Sequence, residues 1–366
     1  MDTGILIPNT SSIQVDWSIF TALLLLTFIL HLWMMNIMLG TSIIALVRQL
    51  NQNKTTDLSH DIASHLPFTI AFTINFGIAP FLFLQVLYGH LIYSSSILMA
   101  VYWLSVIGIL ILAYYSAYIY DFKYTALAEK RIFFIGFTVI ALLWIAFVFT
   151  NNMTFMLTPE KWQVYFKSQS GMWLNAKEPT LIPRYLHFVT ASIALGGLAI
   201  AVYRKIQKDH CHSEQNDEKE RQWSQDIQTG MTWFTAASLF QVGIGVFYLM
   251  SLPGPIRLVF LGAQPFGTAI FILAIHLVIL MLICGFKKNV WWTLAFIIPV
   301  TILMVLMRHV VRTMYLAPYF KVQDLPVDAQ YSPFIVFVVA LILGVITIGY
   351  MIRLILTNKL MPEQTI

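Results

Sequence analysis

Apolar stretches of about 20 residues recur along the whole chain, and this is the length that a helix needs to cross the hydrocarbon core of a bilayer. Hydrophobic residues make up 58% of the 366 residues and charged residues only 11%. Soluble globular proteins carry roughly 25% charged residues, so this composition excludes an ordinary soluble fold. The sequence therefore predicts an all-α polytopic membrane protein, organised as a single membrane domain over residues 1–366.

Nine transmembrane helices are expected from these stretches. Their predicted ranges are 17–47, 66–93, 97–120, 131–152, 183–204, 226–251, 265–286, 290–316 and 333–357. Most of the 22 Lys and Arg residues lie in the connections that follow the odd-numbered helices. Because cytoplasmic loops carry the excess of Lys and Arg, we expect the N-terminus outside and the C-terminus in the cytoplasm.

Several other kinds of protein and site are disfavoured. The cysteines Cys211 and Cys284 do not make a disulfide framework, and no Cys-x-x-Cys-His attaches heme c to this chain. Asp2 stands where a cleaved signal peptide would have a cationic region. The net charge of +5 is mostly an orientation signal, and we expect no nucleic-acid partner. The run His210-Cys211-His212 is either a solvated linker or a metal site, and its spacing suits a tetrahedral site poorly.

One pattern occurs twice inside the apolar stretches: a histidine, seven residues, Leu-Gly, seven residues and an arginine. The two copies have their histidines at His31 and His187, Leu-Gly at 39–40 and 195–196, and their arginines at Arg48 and Arg204. An ionisable side chain inside a membrane is costly, and it indicates a functional site by default. Because the spacing repeats, the sequence predicts two copies of one kind of site.

Helix geometry predicts that most of the membrane histidines lie near the outer face. His31 and His187 are about 25 Å along the helix from the arginines at the inner ends, which puts them close to the outer edge of the hydrocarbon core. The same arithmetic puts His309 near the outer surface and His276 near the midplane, while His90 closes the second helix on the outer side. A lone histidine of this kind can also simply bond a backbone carbonyl or a hydroxyl, and this alternative stays open above all for His90 and His276.

A group of arginines is predicted on the same outer side. Its members are Arg184, Arg257, Arg308 and Arg312. Heme propionates are carboxylates, and arginine pairs with carboxylates bidentately. Histidine is also a standard axial ligand of heme iron. Imidazoles beneath a fringe of arginines therefore predict hemes whose propionates face outward.

The distribution of carboxylates points away from proton-driven transport. None of the 17 acidic residues lies in the interior of a predicted helix. Transporters and pumps driven by protons usually carry buried carboxylates there, so that class is disfavoured. Redox chemistry instead requires a cofactor, because protein side chains alone carry it poorly.

Four short stretches, in matching order and spacing, carry a resemblance to a known family. They are His31 with 39–40, then 74–79 with Gln85 and Gly89, then 143–145 with 151–153, and finally 186–192 with Gly196. In these stretches the chain resembles subunit I of cytochrome bd-type terminal oxidases, over nearly all of the nine helices. The resemblance implies two four-helix bundles, at 17–152 and 183–316, and a peripheral ninth helix at 333–357. It also implies two or three hemes b, a homologous second membrane subunit and a place in the bacterial inner membrane.

The resemblance further implies unequal roles for the repeated histidines. It makes His187 a ligand of the low-spin heme and His31 a ligand of a high-spin heme. In the family a methionine pairs with the low-spin histidine, whereas the seventh helix here offers His276. A glutamate ligand near the end of the eighth helix is replaced by His309, although the arginine three places on is kept as Arg312.

Two further departures concern the electron donor and the protons. The family's quinol-binding loop would follow the sixth helix, yet only residues 252–264 connect to the seventh. The third helix lacks the carboxylates that line the family's proton route. These differences predict a divergent member of the family, not an ordinary quinol oxidase.

We therefore predict a heme-b-bearing subunit of a bd-like oxidase that passes electrons from an extracytoplasmic (multiheme) cytochrome c to O2. The cytochrome is expected to dock on the connections 153–182 and 252–264, the first of which is rich in Trp and Tyr. His31 and His309 are the predicted catalytic residues. No residue pattern indicates a heme d.

Two alternatives to this function stay open. The first keeps the hemes and exchanges electrons between a quinone pool and outer cytochromes, without reducing O2. The second is a cofactor-free transporter or assembly scaffold.

Overall fold

The computed structural model of the chain describes residues 6–51, 57–210 and 217–358. Within these ranges nine helices are long and apolar enough to cross a membrane, so the prediction of a polytopic helical membrane protein is confirmed. We number them α1 to α9: Trp17–Leu50, Asp57–Leu98, Ala100–Phe122, Arg131–Leu157, Leu181–His210, Asp217–Ser251, Pro265–Phe286, Val290–Leu316 and Tyr331–Asn358. Over the same ranges the backbone forms no strand beyond an isolated bridge between Ile13 and Val327.

Several helices are longer than the apolar stretches predicted. Helix α2 begins at Asp57, well before the expected start, α5 continues to His210 and α6 begins at Asp217. Most of the predicted polar connection 206–224 is therefore helical. Outside the hydrocarbon, polar residues can continue a helix, as Lys205 and Asp209 show with their ion pair of 2.7 Å one turn apart. The apolar pattern marks where the membrane ends, and the helix continues past that point.

The two copies of the repeated pattern pack directly against each other where α1 crosses α5. A Cβ atom on Gly40 would lie 1.8 Å from the carbonyl oxygen of Ser192, and one on Gly196 would lie 2.4 Å from the carbonyl carbon of Gly40. Only glycine permits so close an approach. The Ser192 hydroxyl also donates to the Asn36 side chain at 2.7 Å, and these two residues hold matching positions in the copies. The repeat therefore has a structural reason in addition to any chemical one.

The remaining helices surround this crossing. Helix α1 packs against α2 and α4, α3 packs against α4, α5 against α6, and α7 against α8. The α5–α6 contact is again close, because a Cβ on Gly197 would lie 2.6 Å from the Gly230 carbonyl oxygen. Helix α9 is exposed along nearly all of its described length, and one of its contacts is between Phe337 and Phe83 of α2.

The connection between α4 and α5 folds back onto the helix ends. Trp162 is buried, and its indole N–H donates to the Phe155 carbonyl at 2.8 Å. The Asn175 side chain donates to the hydroxyls of Thr154 and Thr158, each at 3.2 Å. Trp162 is thus part of the core, so this one of the aromatic residues of the connection 153–182 is not available to a docking partner.

The connection between α8 and α9 joins the same end of the molecule. The Ile13 N–H donates to the Pro326 carbonyl at 2.8 Å, which ties the N-terminal segment to this connection. The Tyr319 hydroxyl donates to the Glu160 carboxylate at 2.9 Å. Burial and the neighbouring Glu160 raise the pKa of Tyr319 to about 12, so this hydroxyl remains a donor at neutral pH.

Candidate cofactor site

Three of the four predicted arginines meet at one end of the helices. Arg184 comes from α5, and Arg308 and Arg312 come from successive turns of α8. Arg308 has both of the others as charged neighbours, and Arg312 is only 4% exposed. In the part of the chain that the structure describes, none of the three lies within ion-pair distance of a carboxylate. The cluster is therefore a concentration of positive charge, buried at Arg312 and half-buried at Arg184 and Arg308, that the described carboxylates do not neutralise.

Aromatic rings line the cluster. Each guanidinium lies over a ring, and the distances from Cζ to the ring centroid are 4.3 Å for Arg308 on Phe28, 5.1 Å for Arg312 on Tyr88 and 5.6 Å for Arg184 on Tyr248. Such cation–π contacts stabilise a desolvated cation by about 2 kcal/mol but leave its charge in place. The rings therefore orient the guanidinium groups, but an anion would still be required to neutralise their charge.

The His31 imidazole is held by a backbone carbonyl of the neighbouring helix α2. Its Nδ1 lies 3.1 Å from the Thr73 backbone carbonyl. A carbonyl only accepts, so Nδ1 carries the proton and Nε2 presents a lone pair, as in most iron- and zinc-binding histidines. A Cβ on Gly77 would lie 2.9 Å from the imidazole Cε1, so the absence of a side chain there gives the ring its room.

His187 lies at the matching position of the second copy but has different surroundings. Its Nδ1 is buried and has no hydrogen-bond partner. Gln241 donates to the His187 backbone carbonyl at 3.0 Å, not to the ring. The position of Gly245 leaves space beside the imidazole, since a Cβ there would be 3.9 Å from Cε1. The two copies thus hold their histidines by different means.

His309 follows Arg308 directly, and its Nδ1 is also buried without a partner. Its backbone carbonyl accepts a hydrogen bond from the Thr313 hydroxyl at 3.0 Å. His31 and Arg308 are electrostatic neighbours, which links α1 to this part of α8. The structure therefore brings His31, His309 and the arginine cluster into one region.

Buried polar atoms without a partner are concentrated here. They include Nε of Arg184, Nη1 of Arg312, Nδ1 of His187 and His309, Nε2 of His90, Oε1 of Gln241, and the hydroxyls of Tyr88 and Tyr315. Most buried polar groups in proteins are hydrogen-bonded, so a cluster of exceptions requires an explanation. The donor set, with its guanidinium groups, phenols and imidazoles, suits a large ligand with carboxylates.

His276 is not brought to this region. Its side chain is exposed on α7, and its Nδ1 bonds the Ile272 carbonyl of its own helix at 2.8 Å. Ala274, which faces the core, is two residues earlier, and two residues turn an α-helix by about 200°. The inward face of α7 is apolar at this level, and the bond of His276 to its own helix matches the alternative that the sequence left open.

Arg257 also differs from the other arginines. It lies in the short helix Gly254–Leu258 and donates to the Met250 carbonyl at 3.4 Å. Among the described residues it makes none of the ring contacts that orient the cluster. Ile256 and Phe260, in the same connection, are buried against Val311 of α8. This connection thus places apolar side chains over the end of α8, and Arg257 does not belong to the arginine cluster.

His90 closes the site on the side of α2. The helix departs from helical geometry at Tyr88, with φ −132° and ψ 23°. The buried Tyr88 ring meets Phe320 at 6.0 Å, and the His90 ring meets Phe320 at 4.5 Å. Phe320 belongs to the connection between α8 and α9, so the His90 ring packs beneath that connection.

Sequence reasoning missed one buried carboxylate near the site. Glu178 lies in a connection, yet it is buried, and it pairs with Lys161 at 2.5 Å. It also accepts from the Thr180 hydroxyl at 3.0 Å and is an electrostatic neighbour of Tyr315. A residue outside every apolar stretch gave no signal of burial. The tyrosines that line the cluster were missed for a related reason, because aromatic residues are common throughout the apolar helices.

The opposite end of α5 shows how this chain buries an arginine when it supplies the counter-charge itself. Arg204 is 2% exposed and contacts Asp61 of α2 at 2.7 Å and Asp226 of α6 at 3.0 Å. Asp226 also has Arg48 as an electrostatic neighbour. The arginines of both repeats therefore converge on one buried aspartate.

The run at 210–212 yields no metal site in the described part of the chain. The His210 ring bonds the Ile206 carbonyl at 2.9 Å, and Cys211 and His212 lie outside the described residues. No group of three or more metal-ligating side chains occurs among the residues that are described. Cys284 is a free, half-buried thiol.

Comparison with models of known protein families gives no match to this chain, and comparison with curated proteins gives none either. The resemblance to bd-type oxidases therefore stays a prediction from four short stretches. The geometry of the site is the independent basis on which a function is proposed.

Proposed function

We propose that this chain is the heme-b-bearing membrane subunit of a bd-like terminal oxidase. In this proposal it passes electrons from an extracytoplasmic cytochrome c to O2 and resides in a bacterial plasma membrane. One observation carries the proposal: the buried Arg312 and the half-buried Arg184 and Arg308 have no carboxylate partner among the described residues, and they lie beside His187 and His309, whose Nδ1 atoms are buried and unsatisfied. Heme b supplies both a pair of carboxylates and an iron atom that imidazole binds.

The arginines fit the propionates. A buried cation costs several kcal/mol unless an anion pairs with it, and guanidinium pairs with carboxylate through two parallel hydrogen bonds. Arg312 has an unsatisfied Nη1 and Arg184 an unsatisfied Nε, so both have donors available. Arg308 has both of them as electrostatic neighbours. These three residues would bind and orient the propionates, and they would fix the side of the membrane on which electrons enter.

The histidines fit iron in different ways. His31 would ligate through Nε2, because Nδ1 donates to the Thr73 carbonyl and this bond holds the ring in place. His187 and His309 are the other proposed ligands, each with an unsatisfied Nδ1. When bound, heme iron supplies one-electron transfer and, with an open coordination position, O2 binding. His276 has no part in this proposal, since its side chain is exposed and bonded to its own helix.

The protein around the histidines would exclude bulk water. Leu252, Ile256 and Phe260 are buried above the end of α8, and Trp162 is buried in the connection after α4. A dry surrounding strengthens each charge interaction inside it. In this proposal, α1–α4 and α5–α8 form the two bundles, α9 is peripheral and the N-terminus is outside. The cytochrome docks over these connections, and a homologous second subunit covers part of the exposed apolar surface.

One observation favours the alternative, a heme b electron-transfer module between a quinone pool and outer cytochromes. Reduction of O2 consumes protons, yet within the described residues no Asp or Glu forms a hydrogen bond or ion pair with His31, His187 or His309. Glu178 is the buried carboxylate found nearby, and Lys161 holds it in an ion pair. Electron transfer between hemes needs no proton donor beside the histidines, because the protons of the quinone couple are exchanged where the quinone itself binds.

A pyridine hemochrome assay with a CO-difference spectrum on the purified complex separates these functions. The oxidase predicts b-type heme with a high-spin fraction that binds CO. A fully low-spin protein whose spectrum CO leaves unchanged would establish the electron-transfer module instead. A preparation without a Soret band would reject both and leave the cofactor-free transporter or scaffold.

A further inference from the structure

A second polar region lies at the opposite end of the molecule from the arginine cluster. It is a groove of about 540 Å³ between one face of α6 and the turn that joins α7 to α8. Its lining residues are Gln225, Gln228, Thr229, Thr232, Trp233, Ala236 and Lys288. The six residues of α6 recur at helical spacing on one face of the helix. Among the described residues, no carboxylate lines this groove.

The hydrogen-bonding groups of the groove favour an anion. The hydroxyls of Thr229 and Thr232 donate to carbonyls of their own helix at 2.9 and 2.7 Å. The Lys288 ammonium, the side-chain amides of Gln225 and Gln228 and the indole N–H therefore supply donors to a ligand. A unit positive charge surrounded by neutral donors matches a phosphodiester.

Lys288 holds a backbone position that glycine would adopt more easily. Its φ is +53°, in the left-handed region that a Cβ atom disfavours. The bond from the Asn289 N–H to the Cys284 carbonyl at 3.0 Å closes the helix end around it, which is the arrangement in which glycine is usual. A lysine at this point suggests that its side chain is needed.

The residues beside the groove are of the types that occur at the level of the lipid headgroups. Trp291 and Trp292 are exposed at the start of α8, immediately after Lys287 and Lys288. Exposed tryptophans beside lysines are typical of the membrane interface. Trp233 of α6 lines the groove together with Lys288. We therefore expect the groove to open where lipid phosphates lie.

The same face of α6 becomes apolar toward the membrane centre. After Ala236 the next residues at helical spacing are Leu239 and Phe240, and both are exposed. A ligand that lies along this face meets polar donors first and an apolar surface next. This sequence of surfaces matches a phospholipid, with its headgroup in the groove and its acyl chains along Leu239 and Phe240.

We propose that this groove binds the headgroup of an anionic phospholipid, with Lys288 as the residue that selects for negative charge. The site is independent of the heme proposal, since no residue of the arginine cluster lines it.

The test is native mass spectrometry of the full-length protein, mixed with equal amounts of phosphatidylglycerol and phosphatidylcholine. The native protein is expected to retain phosphatidylglycerol. Lys288→Gln is expected to lower that retention about fivefold, the factor for one charge near an anionic surface. Lys287→Gln is the matched control, because Lys287 is adjacent, exposed and outside the groove.

Lys288→Gly guards against a folding artefact, because glycine suits the left-handed backbone and keeps the turn. It is expected to lose phosphatidylglycerol as Lys288→Gln does, with no fall in melting temperature. Equal losses in Lys287→Gln and Lys288→Gln would overturn the proposal, because they would show a general surface potential. Displacement of the lipid by millimolar inorganic phosphate would also overturn it, because the site would then be one for soluble anions.

Discussion

The two ends of the molecule bury arginine in opposite ways. At one end Arg204 is enclosed by two aspartates at 2.7 and 3.0 Å. At the other end Arg312 is just as deeply buried, yet its Nη1 has no partner and its nearest charged neighbours include Arg184. The first end is complete as folded. The second has the charge of a binding site, because it becomes favourable only when an anion from outside these residues joins it.

The repeated histidines show the same contrast on a smaller scale. His31 is fixed by the Thr73 carbonyl, whereas His187 has an unsatisfied Nδ1. Equal spacing in sequence thus does not produce equal surroundings, because each ring meets a different neighbouring helix. Four predictions test how far the complete and incomplete regions differ.

The largest effect is expected from His187→Ala, which should remove one whole heme from the purified complex. An alanine leaves no ligand at this position, and a b-type heme is held by its axial bonds and its propionates. The pyridine hemochrome counts heme per protein. His276→Ala is the matched control and should retain the full content, because His276 is exposed on α7. Equal loss in both variants would contradict the assignment of His187.

Breaking the complete end should cost the most stability. Asp226→Asn removes a carboxylate from the buried Arg204 and leaves that cation with Asp61. Loss of a partner from a buried pair costs about 3–5 kcal/mol. A marked fall in melting temperature in detergent is therefore expected, with heme content per folded protein unchanged. A variant as stable as the native protein would show that the aspartate contributes no net stability.

Removing an arginine from the cluster at the other end should raise the stability of the heme-free protein, not lower it. Arg312→Leu removes a buried charge that has no carboxylate partner among the described residues. Heme-free protein should therefore become more stable, by about 1–4 kcal/mol if the effect is as large as for buried ion pairs replaced by apolar residues. The same variant should retain heme less well. Thermal unfolding with and without heme measures both effects. Destabilisation of the heme-free variant would mean that Arg312 is already neutralised within the fold.

The smallest effect is expected from Gly77→Ala, because the added Cβ would lie 2.9 Å from the His31 ring. The ring must shift, at a cost of about 1–3 kcal/mol for overpacking, and the absorption spectrum of the heme at His31 should shift with it. Gly108→Ala is the control, since nothing lies within 4 Å of a Cβ there. Indistinguishable spectra for the two variants would remove Gly77 from the site.

The sequence predicted the elements of the fold well. Apolar stretches located all nine long helices among the described residues, because the bilayer imposes a length and a polarity that are readable locally. Boundaries were less accurate, as α2 and α6 show, since helices continue into water where hydropathy carries no signal.

The candidate site was predicted in part. His31, His309, Arg184, Arg308 and Arg312 do come together, because depth along a helix follows from simple counting. The inward or outward direction of a side chain does not follow in the same way on uniformly apolar helices. For this reason the exposure of His276 could not be predicted from the sequence. The tyrosines that line the cluster gave no distinguishing signal either.

By itself the sequence determined that the chain spans a membrane, how many times, and that two histidines recur at one depth. Only the tertiary structure decided that Gly40 and Gly196 meet at the crossing of α1 and α5, and which arginines have carboxylate partners. The physical reason is the separation along the chain over which each interaction acts. Hydropathy and helical rise act between residues close along the chain, whereas the compensation of a buried charge depends on groups that are distant in sequence, as Asp61 is from Arg204.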